Sequence, residues 1–290
     1  MAILENLTAA FGPGGNSEEF YRAGKKSTKD APAWVKEIGL DAYEYEAGNG
    51  IAAGDATLVA IGEQARLHGV RMSLHTPYFI SLSGVDPEKR LKSIVYIKDS
   101  LRAAKLLGAR TIVVHSGSAA KISREEAMGL AADTLLRLMD EVGDTDIAIG
   151  LETMGKKNQL GTLEEVIDLC RLDPHFVPVV DFGHLNARDC GGVFRTARDY
   201  GAVFEQIGEV LGDAVARNLH CHFSKIEWTA AGEKRHLTFA DEVFGPDPEP
   251  LGQAIADLHL TPTVICESAG TQSEDALAIK NAYLAYAKNA

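Results

Sequence analysis

Segments of this chain end repeatedly on a histidine, an aspartate or a glutamate. SLHTP places His75 there, IVVHSG His115, IAIGLET Glu152, and VPVVDFGH both Asp181 and His184. NLHCHF adds His220 and His222, GEKRH adds His236, and TVICES adds Glu267. The first four and TVICES are short β-branched runs, the pattern of strands buried on both faces in a parallel sheet. A carboxylate or imidazole at the C-terminal end of such a strand sits where a (β/α)8 barrel keeps its catalytic groups. So many groups of metal-ligand type at equivalent positions predict a multinuclear metal site at the barrel mouth.

The rest of the chain agrees with that architecture. Eight strands are predicted, at 5–11, 42–48, 71–77, 111–117, 147–154, 177–184, 217–225 and 261–269. Between them lie stretches with apolar residues at helical spacing, such as SIVYIKDSLRAAKLLG and REEAMGLAADTLLRLMDEVG. Repeated strand–helix alternation with right-handed crossovers is the barrel signature. The 290 residues suit one such domain, which needs about 250, and no Pro/Gly/Ser-rich linker divides 1–290. Ser123 with Glu126, and Thr162 with Glu165, are spaced as capping boxes that start helices. The longest connections fall at 12–33, 76–90, 183–199 and 225–250, and their length suits substrate contact.

Composition narrows the function. No apolar stretch reaches the roughly 18 residues of a membrane span, and the N-terminus lacks the basic and apolar regions of a secretory signal. None of the cysteines, Cys170, Cys190, Cys221 and Cys266, forms a CxxC pair, which argues against a Cys-rich zinc site. Cys221 and Cys266 are expected to be buried and reduced, in keeping with a cytoplasmic protein. A net charge of −12 disfavours nonspecific nucleic-acid binding through overall charge. It leaves room for a local cationic cleft, and divalent metals would reverse the field there.

A single histidine at a strand end is ordinarily a hydrogen-bonded structural residue, but these groups act as a set. Glu152 and Glu267 both end highly apolar runs, where a carboxylate is costly unless paired or metal-bound. Asp181 and His184 surround one strand exit. His220 and His222, two residues apart, share a strand face. Imidazole and carboxylate donors suit zinc, or manganese where carboxylates dominate. His68, His175 and His259 sit in polar or helical contexts and are given no role.

In order along the chain, HTPYF, VVHSGS, LET, VDFGH, HCHFSK with the later KRH, and CES resemble the motifs of endonuclease IV. That family comprises (β/α)8 apurinic/apyrimidinic endonucleases with a trinuclear zinc site. The resemblance covers about residues 71–270. It implies that His75 and His115 hold one zinc and that Glu152 bridges it to a second. Asp181, one histidine of HCHFSK and Glu267 would complete the second site, and His184 with His236 would serve the third. Glu152 and Glu267 would be the catalytic carboxylates, and the substrate DNA containing abasic sites, cut on the 5′ side. Tyr78 matches a tyrosine on a DNA-contacting loop, and Lys156, Lys157 and Arg188 are expected backbone or gap contacts.

The chain departs from the family at three points. Lys234 stands where the third zinc's aspartate belongs, with Glu233 one residue early. The loop after Glu152-Thr153 reads Met154-Gly155-Lys156-Lys157-Asn158-Gln159 in place of a Gly-Gln-Gly run. HCHFSK offers two histidines: alignment through Lys225 favours His220, while His222 would serve the same face. The departure at Lys234 predicts a weak third metal site. A second reading follows from the same superfamily, whose sugar isomerases and epimerases use one divalent metal held by Glu, Asp, His and Glu. Glu152, Asp181, His220 or His222, and Glu267 supply that set, with the two glutamates moving a proton beside a carbonyl of a free sugar or sugar phosphate. The pair His75 and His115, which a mononuclear isomerase does not need, favours the endonuclease reading.

Overall fold

The computed structural model describes residues 8–287. Among these residues there are ten strands, with helices between most of them. The strands are β1 (Ala10–Pro13), β2 (Ala42–Glu46), β3 (Arg71–His75), β4 (Thr111–His115), β5 (Ala148–Glu152), β6 (Phe176–Asp181), β7 (His220–Phe223), β8 (Ile226–Thr229), β9 (Gly232–His236) and β10 (Thr263–Cys266). β7, β8 and β9 follow one another directly. The helices are α1 (Glu18–Arg22), α2 (Ala31–Glu37), α3 (Asp55–His68), α4 (Pro87–Leu107), α5 (Arg124–Val142), α6 (Leu163–Cys170), α7 (Phe182–Arg188), α8 (Ala197–Leu211), α9 (Asp213–Arg217), α10 (Pro248–Asp257) and α11 (Gln272–Ala287).

Eight strands form one parallel sheet in the order β1-β10-β7-β6-β5-β4-β3-β2. Its ends meet where Gly14 bridges Glu44 in parallel, with the Gly15 N–H donating to the Glu44 carbonyl at 3.0 Å. The sheet is therefore a (β/α)8 barrel. Outward-facing Ile112, Val114, Ile149, Leu151, Val180, Cys221 and Phe223 belong to the main core under the helices. Inside the barrel a small separate cluster of Ala10, Ala42 and Ile265 forms an apolar plug. Above it the interior turns polar, because the inward positions of β2 and β7 carry Glu44, His220 and His222, all buried.

Three local expectations change. The first strand is Ala10–Pro13, not 5–11; part of the expected segment, residues 5–7, lies outside the described residues. Gly12 and Pro13 read as turn residues, yet pairing with β10, Ala10 to Thr263 through Pro13 to Cys266, holds them extended. The segment 177–184 is a strand only to Asp181, whose carboxylate then caps α7 by accepting the His184 N–H at 2.8 Å. GEKRH is a strand outside the barrel, the second arm of the antiparallel β8–β9 hairpin that fills the 225–250 connection. Thr162 and Glu165 form a full capping box, while at Ser123 the hydroxyl accepts the Glu126 N–H.

Candidate metal centre

Strand register brings the strand-end groups together. Glu46 pairs with His75 across β2–β3, His115 with Glu152 across β4–β5, and Asp181 with His222 across β6–β7. In a parallel sheet, register partners point to the same face, here the barrel interior. Glu152 lies at the centre: its Oε2 is 3.5 Å from His75 Nε2 and 3.3 Å from His115 Nε2, and its Oε1 is 3.0 Å from His222 Nδ1. Glu267 Oε1 approaches the same His222 Nδ1 at 3.4 Å, and Asp181 Oδ2 is 3.3 Å from His184 Nδ1.

Among the described residues, five groups of side chains converge closely enough to hold cations: His75, His115 and Glu152; Glu152, Asp181, His222 and Glu267; His184, Glu233 and His236; and, lower in the barrel, Glu44, His220 and His222, and Glu44, Glu46 and Glu267. The third is assembled by an irregularity. Glu233 and His236 are three apart, and in a regular strand they would face opposite ways. The β8–β9 register shifts between Glu227 and Trp228, so that Arg235 faces Glu227 and Glu233 faces Trp228. Lys234 is the extra residue of this β-bulge, which returns Glu233 and His236 to one side. Lys234 Nζ turns outward to Glu227 Oε1 at 2.5 Å. Glu233 reaches within 3.5 Å of His184 Nε2 because Gly155 lacks a side chain: a Cβ there would lie 2.6 Å from Glu233 Cβ. Glu233, one residue early in the sequence, thus stands beside His184 and His236 where the aspartate was expected, and the expectation of a weak third site loses its premise.

The donor chemistry fits cations. Three histidines tie Nδ1 to a neighbouring acceptor: His75 to the Thr76 carbonyl at 2.8 Å, His184 to the Thr153 carbonyl at 2.9 Å and His236 to the Ser224 hydroxyl at 2.8 Å. A carbonyl acceptor fixes the proton on Nδ1 and leaves the Nε2 lone pair facing inward, the arrangement of metal-ligating histidines. Glu152 Oε2, Asp181 Oδ2 and His222 Nε2 are buried with no hydrogen-bond partner, which a protein seldom tolerates without a ligand.

The model of one protein family, described as the xylose isomerase-like TIM barrel, matches residues 32–285. The chain belongs to that family. Relatives include an uncharacterized protein of Methanocaldococcus jannaschii, 28% identical over 85% of this chain and 88% of its own length. A protein of Acholeplasma laidlawii named "Probable endonuclease 4" is 28% identical over 60% of this chain and 59% of its own length. Among solved structures, endonuclease IV from Thermus thermophilus superposes with a TM-score of 0.70 at 20% identity, over 97% of this chain and all of that one. A D-tagatose 3-epimerase-like protein superposes with a TM-score of 0.73 at 17% identity, covering 97% and 98%. At these identities the superpositions show the shared fold alone. For this member of the xylose isomerase-like family the site must therefore be read from its own residues.

Charge in the centre follows from burial and neighbours. Burial opposes protonation of His75, but Glu152, Glu46 and Glu267 prevail and hold its pKa at about 10. His184 is held at about 9 by Asp181, Glu233 and Glu152 against the same burial. Burial wins at His115 and pushes it down. Burial also lifts Glu267, against His222 and with Glu152 and Asp181, to about 8. Glu152 goes the other way: despite burial, His222, His75 and His115 keep it well below the usual carboxylate range. A bound cation would take the place of the protons on these imidazoles.

Other expected residues are placed differently from one another. His220, favoured by alignment through Lys225, is not in the upper clusters. It lies one layer down, its Nε2 3.0 Å from Glu44 Oε2, and His222 occupies the upper position. Tyr78 stands at the mouth, half exposed, with ring centroids 5.1 Å from His75 and 5.5 Å from His115. Lys156 and Lys157 are exposed on the loop after β5. Arg188 is corrected from substrate contact to loop support: it is buried and donates to the carbonyls of Met154, Lys156, Lys157 and Gln159 at 2.8–3.3 Å.

Sequence reasoning missed Glu44 and Glu46. Glu44 is fully buried, accepts the Ser73 hydroxyl at 2.7 Å and lies 2.9 Å from His222 Nε2, without the alignment of a hydrogen bond. Glu46 and Glu267 face a cavity of about 580 Å³ also lined by Tyr78, His236 and Gln272. The signal was present in AYEYE, where two glutamates spaced by two must share the interior face of a buried strand.

Proposed function

We propose that this chain is a divalent-metal-dependent phosphodiesterase of the endonuclease IV type, hydrolysing DNA on the 5′ side of abasic sites in the cytoplasm. The observation that carries the reading is the third cluster. His184, Glu233 and His236 converge beside the first two groups, and chemistry at a single metal has no use for them. Zinc is the cation that the imidazole-rich first and third groups favour, with manganese an alternative at the carboxylate-rich second. Divalent cations held there would supply Lewis-acid charge and a nucleophilic hydroxide near neutral pH.

The chain's own residues do the rest. Glu152, held anionic, keeps two imidazole groups and His222 in register. Glu267, with its raised pKa, is suited to hold or release a proton at its carboxylate as water attacks phosphorus. His184, Glu233 and His236 sit where a leaving 3′-oxygen would be stabilised. Tyr78 offers an exposed ring at the mouth to the gap left by a missing base, and Lys156 and Lys157 offer charge to the strand backbone. An abasic nucleotide lacks stacking and pairing, so extrusion into the cavity is cheap.

A second reading is a sugar epimerase working on Glu152, Asp181, His222 and Glu267, which converge as one group, with Glu267 also lining a cavity of small-molecule size. Elemental analysis of the purified protein, combined with cleavage of a duplex carrying one tetrahydrofuran abasic site and with ketohexose epimerisation assays, separates the two. Strand incision with more than one metal per chain is expected. Epimerisation without incision would sink the phosphodiesterase reading.

A further inference from the structure

His222 is turned the opposite way from the three histidines tied through Nδ1. Its Nδ1 faces Glu152 Oε1 at 3.0 Å and Glu267 Oε1 at 3.4 Å, while its Nε2 faces Glu44 Oε1 at 2.9 Å. We propose that Glu44 is a positioning residue of the centre. Standing behind His222, it presents Nδ1 to a cation in the Glu152–Asp181–His222–Glu267 group, and so makes His222, not His220, the ligand from β7. The proposal rests on a cation being bound in that group, and it holds for either reaction.

Glu44 is itself locked in place. It pairs with Ser73 in the β2–β3 register, and its Oε2 accepts the Ser73 hydroxyl at 2.7 Å. The same oxygen meets His220 Nε2 at 3.0 Å. With both of those donors on Oε2, Oε1 is left to His222. All four side chains are buried, Glu44 and His222 completely. Glu44 Oε1 and His222 Nε2 are at contact range without the alignment of a hydrogen bond, so Glu44 acts on the ring chiefly through its charge, which the barrel interior screens poorly. The proton of a neutral imidazole is drawn to the nitrogen beside a carboxylate, which leaves the lone pair on the other nitrogen, here Nδ1.

The neighbouring histidines set this arrangement apart. The tethers of His75, His184 and His236 are neutral oxygens, two carbonyls and a hydroxyl. That of His222 is a carboxylate, which raises the basicity of the imidazole it holds and so strengthens it as a ligand. His220 shows the alternative. It shares a strand face with His222, but its Nε2 is occupied by Glu44, and it belongs to no group that contains Glu152. One carboxylate therefore occupies the lower imidazole and aims the upper one.

The test reads zinc and proton positions, not turnover. In zinc-loaded wild type, long-range 15N–1H spectra of the histidines should show His222 bound through Nδ1 with its proton on Nε2, the His220 signals being identified by their loss in His220→Gln. Zinc bound through His222 Nε2, or not bound to His222 at all, overturns the proposal without any variant at Glu44. Glu44→Gln keeps the shape and removes the charge. It should weaken one zinc site by roughly tenfold or more in competition with a chelator and leave the others unchanged. His220→Gln keeps a donor for Glu44 and should retain every zinc. Wild-type zinc affinity in Glu44→Gln, equal weakening of all sites there, as a merely structural role would give, or loss of a zinc in His220→Gln overturns the proposal. Wild type that gives the expected spectra but does not incise DNA would support it and fault the phosphodiesterase reading alone.

Discussion

Glu152 meets four imidazoles of the centre, with His75, His115 and His222 within 3.5 Å of its carboxylate and His184 at 3.6 Å. Its charge matters more than its shape. Glu152→Gln keeps the shape, so it should fold, yet lower turnover by well over tenfold, or about 1.4 kcal/mol in the barrier. A loss smaller than tenfold in a rapid-quench assay would remove Glu152 from the reacting groups. The third cluster gives a paired test at the next residues along. Glu233→Ala should lower the metal content by one ion per chain in elemental analysis, whereas Lys234→Ala should leave it unchanged, because Lys234 points to Glu227. The reverse result would restore Lys234 as the residue that governs that site. The strand-end candidates His75, His115, Glu152, Asp181 and Glu267 were legible because each closes an apolar run. Glu44 and Glu46 were not, because they lie inside a strand whose tyrosines make it read as an ordinary half-polar segment.

Elements decide whether those residues meet. The β8–β9 hairpin carries Glu233 and His236 on one side only because its bulge absorbs Lys234. Deleting Lys234 would leave Glu233 and His236 two apart, the spacing at which a regular strand places both on one face. The deletion should therefore keep the full metal content; loss of one ion would show that the bulge does more than set the facing. The loop after β5 depends on α7 in a similar way. Arg188 holds four of its carbonyls, and charge-assisted bonds of this kind contribute roughly 1.5–3 kcal/mol each in net stability. Arg188→Ala should lower stability by about 3 kcal/mol and speed amide exchange across 154–160. Unchanged stability with a raised KM would instead make Arg188 a substrate contact. The buried parallel strands were readable from their β-branched runs. β1 was displaced because Gly12 and Pro13 signal a turn locally, and pairing with β10 overrides that signal. The hairpin was hidden because GEKRH is polar, and nothing in its own composition marks it as a strand.

The molecule as a whole is legible at the level of the barrel, since strand–helix alternation imposes one topology and places every strand's C-terminal end on one face. What the sequence could not supply was which donors meet across that face, because this depends on register between strands far apart in the chain. Charge poses the remaining question at this scale. With 41 acidic and 29 basic residues, the chain repels an anionic polymer at long range. Under the phosphodiesterase reading, attraction must then come from the mouth, from Tyr78, Lys156, Lys157 and the cations held there. Few basic side chains means few counterions released from DNA. A protein making 6–10 phosphate contacts through lysine and arginine loses roughly 10³–10⁵ in affinity between 50 and 200 mM salt. Fluorescence anisotropy on an abasic duplex should show a much shallower loss here, about three- to fourfold for each lysine contact and so about tenfold for the two named. The same binding should disappear when the metals are removed by chelation and return on adding zinc. A steep salt dependence that survives chelation would locate a basic DNA track elsewhere on the surface and would separate DNA binding from the metal centre.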